Sequence, residues 1–191
     1  MAGKLVQVAT ETVTSAVSAV QLVGTTTDDV YMLAISNMEM SLDNAQIRLK
    51  FLASGTPQST SNYDEAHKNL ISNTTYGNFS LTNYPAFFLT TAGASTATDA
   101  RFNSIHYLYN LNNSSEYSFE TREVAYIKQG GTVLEGKQGG GVYTVAEAHN
   151  GVEITAFGGN VTGGVFTLYR CLWGITMADD LKYGYKGAEP T

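Results

Sequence analysis

The stretch AQIRLKF, residues 45–51, carries the clearest structural pattern in the chain. Ile47, Leu49 and Phe51 alternate with the charged residues Arg48 and Lys50. Because successive side chains of a strand point to opposite faces, this alternation predicts a β-strand with one face in a core and the other in water.

Strands are indicated on both sides of this stretch. DVYMLAIS, Asp29 to Ser36, is apolar on both phases, which is typical of a strand near the centre of a sheet. We expect it to pair with Val20 to Val23 across the turn-like GTTTDD. VTGGVFTLYRCLW, ending at Trp173, predicts a long terminal strand whose weak charge favours a central place.

Between these segments the pattern indicates further strands and turns. FNSIHYLYN, residues 102–110, places Ile105, Tyr107 and Tyr109 on one phase, and SFETREVAYI is its expected return strand. The Asn150-Gly151 pair predicts a tight turn before the strand VEITAF. A helical period never lasts for three turns, and YDEAHKNL, Tyr63 to Leu70, is the best candidate for a short helix.

Composition agrees with an all-β protein. Hydrophobic residues make up 43% of the 191 residues and charged residues only 15%, with 12 Tyr and 8 Phe. Aromatic and β-branched residues favour half-buried strands. About eight strands separated by turns predict an antiparallel β-sandwich, jelly-roll-like, over residues 1–175. Residues 176–191 lack a sustained period and are expected to form a C-terminal tail or docking arm.

Charge and residue usage exclude several classes of function. The net charge is −6 and no basic stripe occurs, which argues against a nucleic-acid partner. The single cysteine, Cys171, rules out an internal disulfide. Since no apolar run approaches the roughly 18 residues of a membrane span, we expect no membrane partner. The three histidines lack the spacing of a metal site.

The stretch GGTVLEGKQGGG, Gly130 to Gly141, nearly matches a phosphate-binding loop. Gln138 stands where that loop needs a Ser or Thr hydroxyl on magnesium, and three glycines follow where its helix should begin. The stretch therefore predicts a flexible lead-in to a strand, with Lys137 as a surface or interface charge. With no nucleophile elbow either, the sequence predicts neither an enzyme nor a cofactor.

Aromatic residues near the middle of the chain are the candidates for contact with a ligand or partner. Tyr76, Tyr84, Phe87 and Phe88 lie in a Gly/Asn/Thr-rich region and could form a platform on which a sugar stacks. Packing in a core or an interface explains them equally well. The further candidate contact residues lie in the C-terminal arm, at Tyr183 and Tyr185.

The carboxyl half resembles the closing segment of small virion structural proteins encoded by tailed phages, notably those of marine bacteria and cyanobacteria. In that family a Gln-Gly-Gly-Gly stretch precedes a strand, an Asp/Asn-Gly turn follows, and a Gly-x-Phe-Thr-Leu-Tyr-Gly strand closes the domain. The matching residues here are Gln138 to Gly141, Asn150-Gly151 and Gly164 to Tyr169. SGTPQSTSNYDEA and YNLNNSSEYSF are similar to the family's loops, so the resemblance covers roughly residues 30–173.

The chain departs from the family at Arg170, where relatives often have glycine, and in continuing 18 residues beyond Trp173. The resemblance implies a β-sandwich in the virion, acting as a capsid decoration or cement protein bound to the major capsid protein or other virion proteins. It also implies a homo-oligomer, with a trimer favoured. The alternative is a tail-fibre or adhesin module that binds a host surface glycan.

Overall fold

The alternating stretch that defines the first predicted strand is a strand in the structure. In a computed structural model, which describes residues 4–73 and 76–172, Ile47, Leu49 and Phe51 are buried, while Arg48 and Lys50 lie on the other face. The described chain is all-β, with two antiparallel sheets packed as a sandwich, as predicted. No helix among these residues has the length and apolar character needed to cross a membrane.

Within residues 4–73 and 76–172, thirteen strands build the two sheets. The larger sheet contains β1 Lys4–Val13, β3 Val30–Met40, β6 Tyr63–Ile71, β7 Gly77–Tyr84, β9 Phe102–Tyr109, β10 Ser118–Ile127, β11 Leu134–Tyr143 and β13 Val161–Leu172. The smaller sheet contains β2 Ala19–Val23, β4 Gln46–Ala53, β5 Thr56–Pro57, β8 Phe87–Phe88 and β12 Gly151–Phe157.

The order of the strands shows how the chain moves between the sheets. The larger sheet runs β1-β13-β3-β9-β10-β11-β6-β7, and the smaller runs β2-β12-β4-β5, with β8 also paired to β4. The chain changes sheet between β1 and β2, β2 and β3, β3 and β4, β5 and β6, β7 and β8, β8 and β9, β11 and β12, and β12 and β13. As predicted, β13 is an interior strand, held by β1 on one side and β3 on the other.

Apolar side chains fill the space where the two sheets overlap. The core includes Leu33 and Ile35 of β3, Phe166 and Leu168 of β13, and residues from β4 and β12 of the smaller sheet. Its largest members at one end are aromatic and pack edge to face, as Phe87 does against Phe51 and Tyr63. Such edge-to-face pairs stabilise the fold modestly beyond the contribution of the buried apolar area.

One predicted strand pairing and the one predicted helix are wrong. The segment from Val20 to Val23 does not pair with β3, because the chain crosses to the other sheet there and β2 pairs with β12. Tyr63 to Leu70 is not helical but forms most of β6. Every second residue of β6 is buried from Tyr63 to Asn69, which is the period of a strand.

The glycine-rich stretch is mostly a strand rather than a flexible lead-in. Gly130 and Gly131 form the turn, with φ of 92° and 76°, and β11 begins at Leu134. Within β11 the glycines allow close approach: a Cβ on Gly139 would lie 2.3 Å from the Ala66 carbonyl oxygen, and one on Gly141 would lie 2.4 Å from the Phe87 ring. Glycine is therefore required by packing inside a sheet.

Asn150-Gly151 also differs from its prediction. Neither residue has positive φ, and the pair enters β12 instead of closing a hairpin. Asn150 is held by backbone bonds: its amide donates to the Leu52 carbonyl at 2.8 Å, and its carbonyl accepts from the Gly24 amide at 2.9 Å. The following strand, VEITAF, forms as predicted. The predicted arm, residues 176–191, lies outside the described residues.

Candidate functional site

The outward side of the larger sheet, here called the outer face, exposes apolar side chains in its centre. Tyr107 of β9 lies opposite Met32 of β3, and Ile105 lies opposite Ala34. Ile105 and Tyr107 are 45% and 40% exposed, and Phe119 of β10 is exposed beside them. As predicted, Ile105, Tyr107 and Tyr109 lie on one face of β9, and this face points away from the core.

A shallow groove crosses the outer face where small residues interrupt these side chains. It has a volume of about 540 Å³ and is lined by Ile105, Tyr107, Thr121, Glu123, Gln138 and Gly139, with the backbone of Arg122 in its floor. The amide of Gln138 donates to the Glu123 carboxylate at 3.4 Å across β10 and β11. The groove thus combines one aromatic ring with an amide and a carboxylate.

The opposite side of the same strands carries a buried polar cluster, defined here as Glu65, His106, Glu120 and Arg122. Strands β6, β9 and β10 supply these side chains, and each is almost fully buried. Residues 85–101, here called the cover segment, include β8 and the loop that leads to β9. Because a loop has unpaired backbone groups, polar side chains beneath it can supply the missing partners.

Arg122 joins the cluster to the cover segment. Its guanidinium donates to Glu65 Oε2 and to Glu120 Oε1, each at 2.7 Å, and to the Phe88 carbonyl at 2.8 Å. The Glu65 carboxylate also accepts from the Phe88 amide at 3.0 Å. His106 is held between Glu120 and Ser104, at 3.2 and 3.0 Å. Both backbone groups of Phe88 are therefore satisfied by one buried ion pair.

Burial and charge act against each other in this cluster. Burial raises the pKa of Glu65 and outweighs the opposing effect of Arg122. Burial acts in the same direction on Glu120, but Arg122 and His106 outweigh it, so the pKa of Glu120 lies below its usual value. Burial lowers the pKa of His106. The cluster therefore holds an ionised Glu120–Arg122 pair and a neutral histidine.

A second buried group lies farther along the same inner surface. Lys137 of β11 is directly opposite Asn69 of β6 and is only 1% exposed. Its Nζ has no hydrogen-bond partner among the described residues, and it lies 5.6 Å from the centre of the Phe79 ring. The prediction that Lys137 is a surface or interface charge is therefore wrong, because Lys137 lies on the inward phase of β11.

The structure does not assemble the predicted aromatic platform. Phe87 and Phe88 are buried in the sandwich, so neither can contact a partner or glycan. Tyr84 is 39% exposed and packs edge-on to Phe88, whereas Tyr76 is 74% exposed and precedes the other end of β7. The remaining candidates, Tyr183 and Tyr185, lie outside the described residues.

The histidines have structural surroundings. His149 is buried against the Phe51 and Tyr143 rings and bonds to Ser118 at 2.9 Å, and His67 stacks on Phe79. Within residues 4–73 and 76–172, no three His, Cys, Asp or Glu side chains gather in a way that could hold a metal ion. Cys171 is buried.

Sequence periodicity did not identify Glu120, Arg122 or Lys137 as inward-facing. A signal for them exists: Glu120 and Arg122, like Glu135 and Lys137, are opposite charges two positions apart, so each pair lies on one face of its strand. Comparison with known proteins gives no match to a family model, to a curated protein or to a solved structure.

Proposed function

We propose that this chain is a structural protein of a phage virion: a decoration or cement protein that docks on the capsid surface as a homo-oligomer. The observation that carries the proposal is the outer face, where a broad sheet exposes apolar side chains. Ile105, Tyr107 and Phe119 are exposed near its centre, and aromatic residues such as Tyr107 and Phe119 are enriched in interfaces. The resemblance of the closing segment to phage virion proteins supports the same role.

The connectivity supports a jelly-roll topology for the sandwich. The strand sets β1-β13-β3-β9 and β2-β12-β4-β8 face one another, and the chain alternates between them. Paired four-stranded sheets with this alternation are typical of jelly rolls, which occur in viral capsids and in lectins. Under this assignment β5 to β7 and β10 to β11 are insertions, and β6, β7, β10 and β11 widen the larger sheet.

The size of the outer face suits an interface between copies. Eight strands at about 4.8 Å spacing, paired over about eight residues that each rise about 3.4 Å, give a surface of about 34 Å by 27 Å. That area is close to the roughly 800 Å² that one partner contributes to a standard interface. We favour a trimer, in which the outer faces meet and the other surfaces remain free for the major capsid protein.

A charged substitution on the outer face tests this role. Ile105→Glu should convert the oligomer to a monomer in light scattering and reduce its occupancy on purified virions, because an unpaired carboxylate would be buried at the contact. Leu42→Glu is the matched control, since Leu42 is 44% exposed but lies between β3 and β4. A wild-type monomer would overturn the interface, and absence of the protein from virions would overturn the virion role.

The groove favours a second candidate function, a tail-fibre or adhesin module for a host surface glycan. Tyr107 offers a ring for stacking, and Glu123 and Gln138 offer polar groups beside it. The observation differs from the aromatic platform expected from the sequence, because the residues come from other strands. Glycan-array binding that is lost in Tyr107→Ala and kept in Tyr76→Ala would favour this function over capsid decoration.

A further inference from the structure

The inner surface of the larger sheet places a lysine, an asparagine and a glutamate where they could form a covalent bond. Lys137 and Asn69 are direct partners in the β11–β6 ladder, and both side chains are at least nine-tenths buried. Opposite residues of an antiparallel pair have Cβ atoms about 5 Å apart, well within the reach of a lysine side chain. Lys137 Nζ makes no hydrogen bond to any described residue.

We propose that Lys137 and Asn69 condense to an intramolecular amide with loss of ammonia, and that Glu135 carries the proton between the two nitrogens. The reaction does not depend on the proposed role of the protein in the virion. It would link β6 and β11 of the sandwich covalently, through two residues that are 68 positions apart in sequence, 69 and 137.

The amine is placed in surroundings that favour its neutral form. Burial is the main cause that lowers the pKa of Lys137, to about 7, and the nearby Arg122 acts in the same direction. Glu135 and Glu65 oppose this shift. A lysine with a pKa near neutrality has an available lone pair at physiological pH, as in other nucleophilic lysines.

The amide carbon of Asn69 is the group that would accept that lone pair. The Thr91 hydroxyl, in the cover segment, donates to Asn69 Oδ1 at 3.3 Å. Charge develops on this oxygen when Nζ attacks Cγ, so the same hydroxyl would stabilise the tetrahedral intermediate.

Glu135 is suited to move the proton. It lies two residues before Lys137 on the same face of β11, is 1% exposed, and its Oε1 has no hydrogen-bond partner among the described residues. Its other oxygen is paired to Lys128 at 3.3 Å. Glu65 also has one oxygen without a partner among the described residues. It is less suited, because it lies four residues before Asn69 on β6, opposite Gly141, and is therefore farther along the sheet from the Lys137–Asn69 pair.

The atoms balance without any further reactant. The bond from Nζ to Cγ forms, one Nζ proton passes to Glu135 and from there to Nδ2, and the bond from Cγ to Nδ2 breaks. Ammonia leaves, and no electron is gained or lost. A general acid–base group in such a step contributes about 100-fold or more to the rate, so Glu135→Gln should slow ammonia loss by at least that factor.

Intact-mass measurement of the purified, denatured full chain tests the proposal. We expect the wild type to be lighter than its sequence by one ammonia, Asn69→Asp to be lighter by one water, and Lys137→Arg and Asn69→Ala to have their full masses. Lys68→Met is the matched lysine control, because Lys68 adjoins Asn69 but faces outward, and it should still lose ammonia.

Tryptic digestion supplies a result that does not depend on any variant folding. The amide should join residues 69–101 to residues 129–170 in one branched peptide, with no cleavage after Lys137. A wild type of full mass would overturn the proposal. So would an ammonia loss that persists in Lys137→Arg, since it would then belong to ring closure at Asn150-Gly151.

Discussion

Alanine substitutions along β11 should separate glycines that packing requires from one that it does not. Gly136, Gly139 and Gly141 lie in one strand and none has positive φ, so alanine is compatible with the backbone at all three. Their surroundings differ. A Cβ on Gly136 would meet its nearest atom at 3.5 Å, an ordinary contact, whereas on Gly139 it would lie 2.3 Å from a backbone oxygen of β6.

These distances set the expected magnitudes. Gly136→Ala should stabilise the fold by about 0.5–1 kcal/mol, because alanine loses less backbone entropy than glycine on folding. Gly139→Ala should destabilise it by about 1–3 kcal/mol, since β6 and β11 must move apart. In a domain of this size each kcal/mol shifts the melting temperature by about 2–4 °C. The two variants should therefore differ by roughly 3–16 °C.

Thermal unfolding followed by circular dichroism, with urea unfolding as a second measure, provides the assay. Gly141→Ala should behave like Gly139→Ala, because its Cβ would lie 2.4 Å from the Phe87 ring, although a ring yields more easily than backbone. Equal stability of the Gly136 and Gly139 variants would refute the view that β11 needs glycine for close approach.

Three further substitutions test the buried polar groups. Arg122→Met should lower the free energy of unfolding in urea by about 3–5 kcal/mol, because it leaves Glu65 and Glu120 in the interior without their partner. Arg101→Met breaks an exposed pair with Glu39 and should change the free energy of unfolding by less than about 1 kcal/mol. Equal losses in the two variants would contradict the role of Arg122. Tyr63→Phe should lower the free energy of unfolding by about 1–3 kcal/mol, since the Tyr63 hydroxyl accepts a hydrogen bond from the buried Phe51 amide at 3.0 Å. Tyr76→Phe is the control and should leave the free energy of unfolding unchanged in the same urea measurement. Burial lowers the pKa of His67 to about 3, so the unfolded chain binds more protons between that value and 6.5 and stability should fall on acidification through this window. In urea titrations at several pH values, His67→Gln should reduce the dependence of the free energy of unfolding on pH in this window. Glu65, whose pKa is raised, contributes in the opposite direction. An unchanged dependence on pH in His67→Gln would contradict the assignment to His67.

Much of the sandwich follows from periodicity, because alternation fixes both the strand and its buried face when one phase is plainly apolar. AQIRLKF and VEITAF are of this kind. In β9 the alternation identifies the strand but leaves its orientation open, since Ile105 and Tyr107 alternate with Ser104, His106 and Leu108. The buried face is the one that mixes polar and apolar residues, because His106 on that face pairs with Glu120 beneath the cover segment.

The candidate sites depend on pairings that the sequence does not encode locally. The groove joins Tyr107 to Gln138 across two strand pairings, and Lys137 meets Asn69 across 68 positions. The error at Tyr63 to Leu70 has a related cause: the polar residues Glu65, His67 and Asn69 are buried by partners distant in the chain. Polar residues on a buried phase hide the period by which a strand is recognised.

The pairing of β1 with β13 also sets how the molecule responds to tension. Lys4 lies opposite Leu172, so the first and last described residues meet at one end of an antiparallel ladder. A force that pulls these two residues apart loads one rung at a time, and β1 should peel away at low force. A force applied between Lys4 and Gly164, which lies opposite Val13 at the other end of the ladder, runs along the strands instead and loads many rungs together, so the same ladder is weak in one direction and strong in the other.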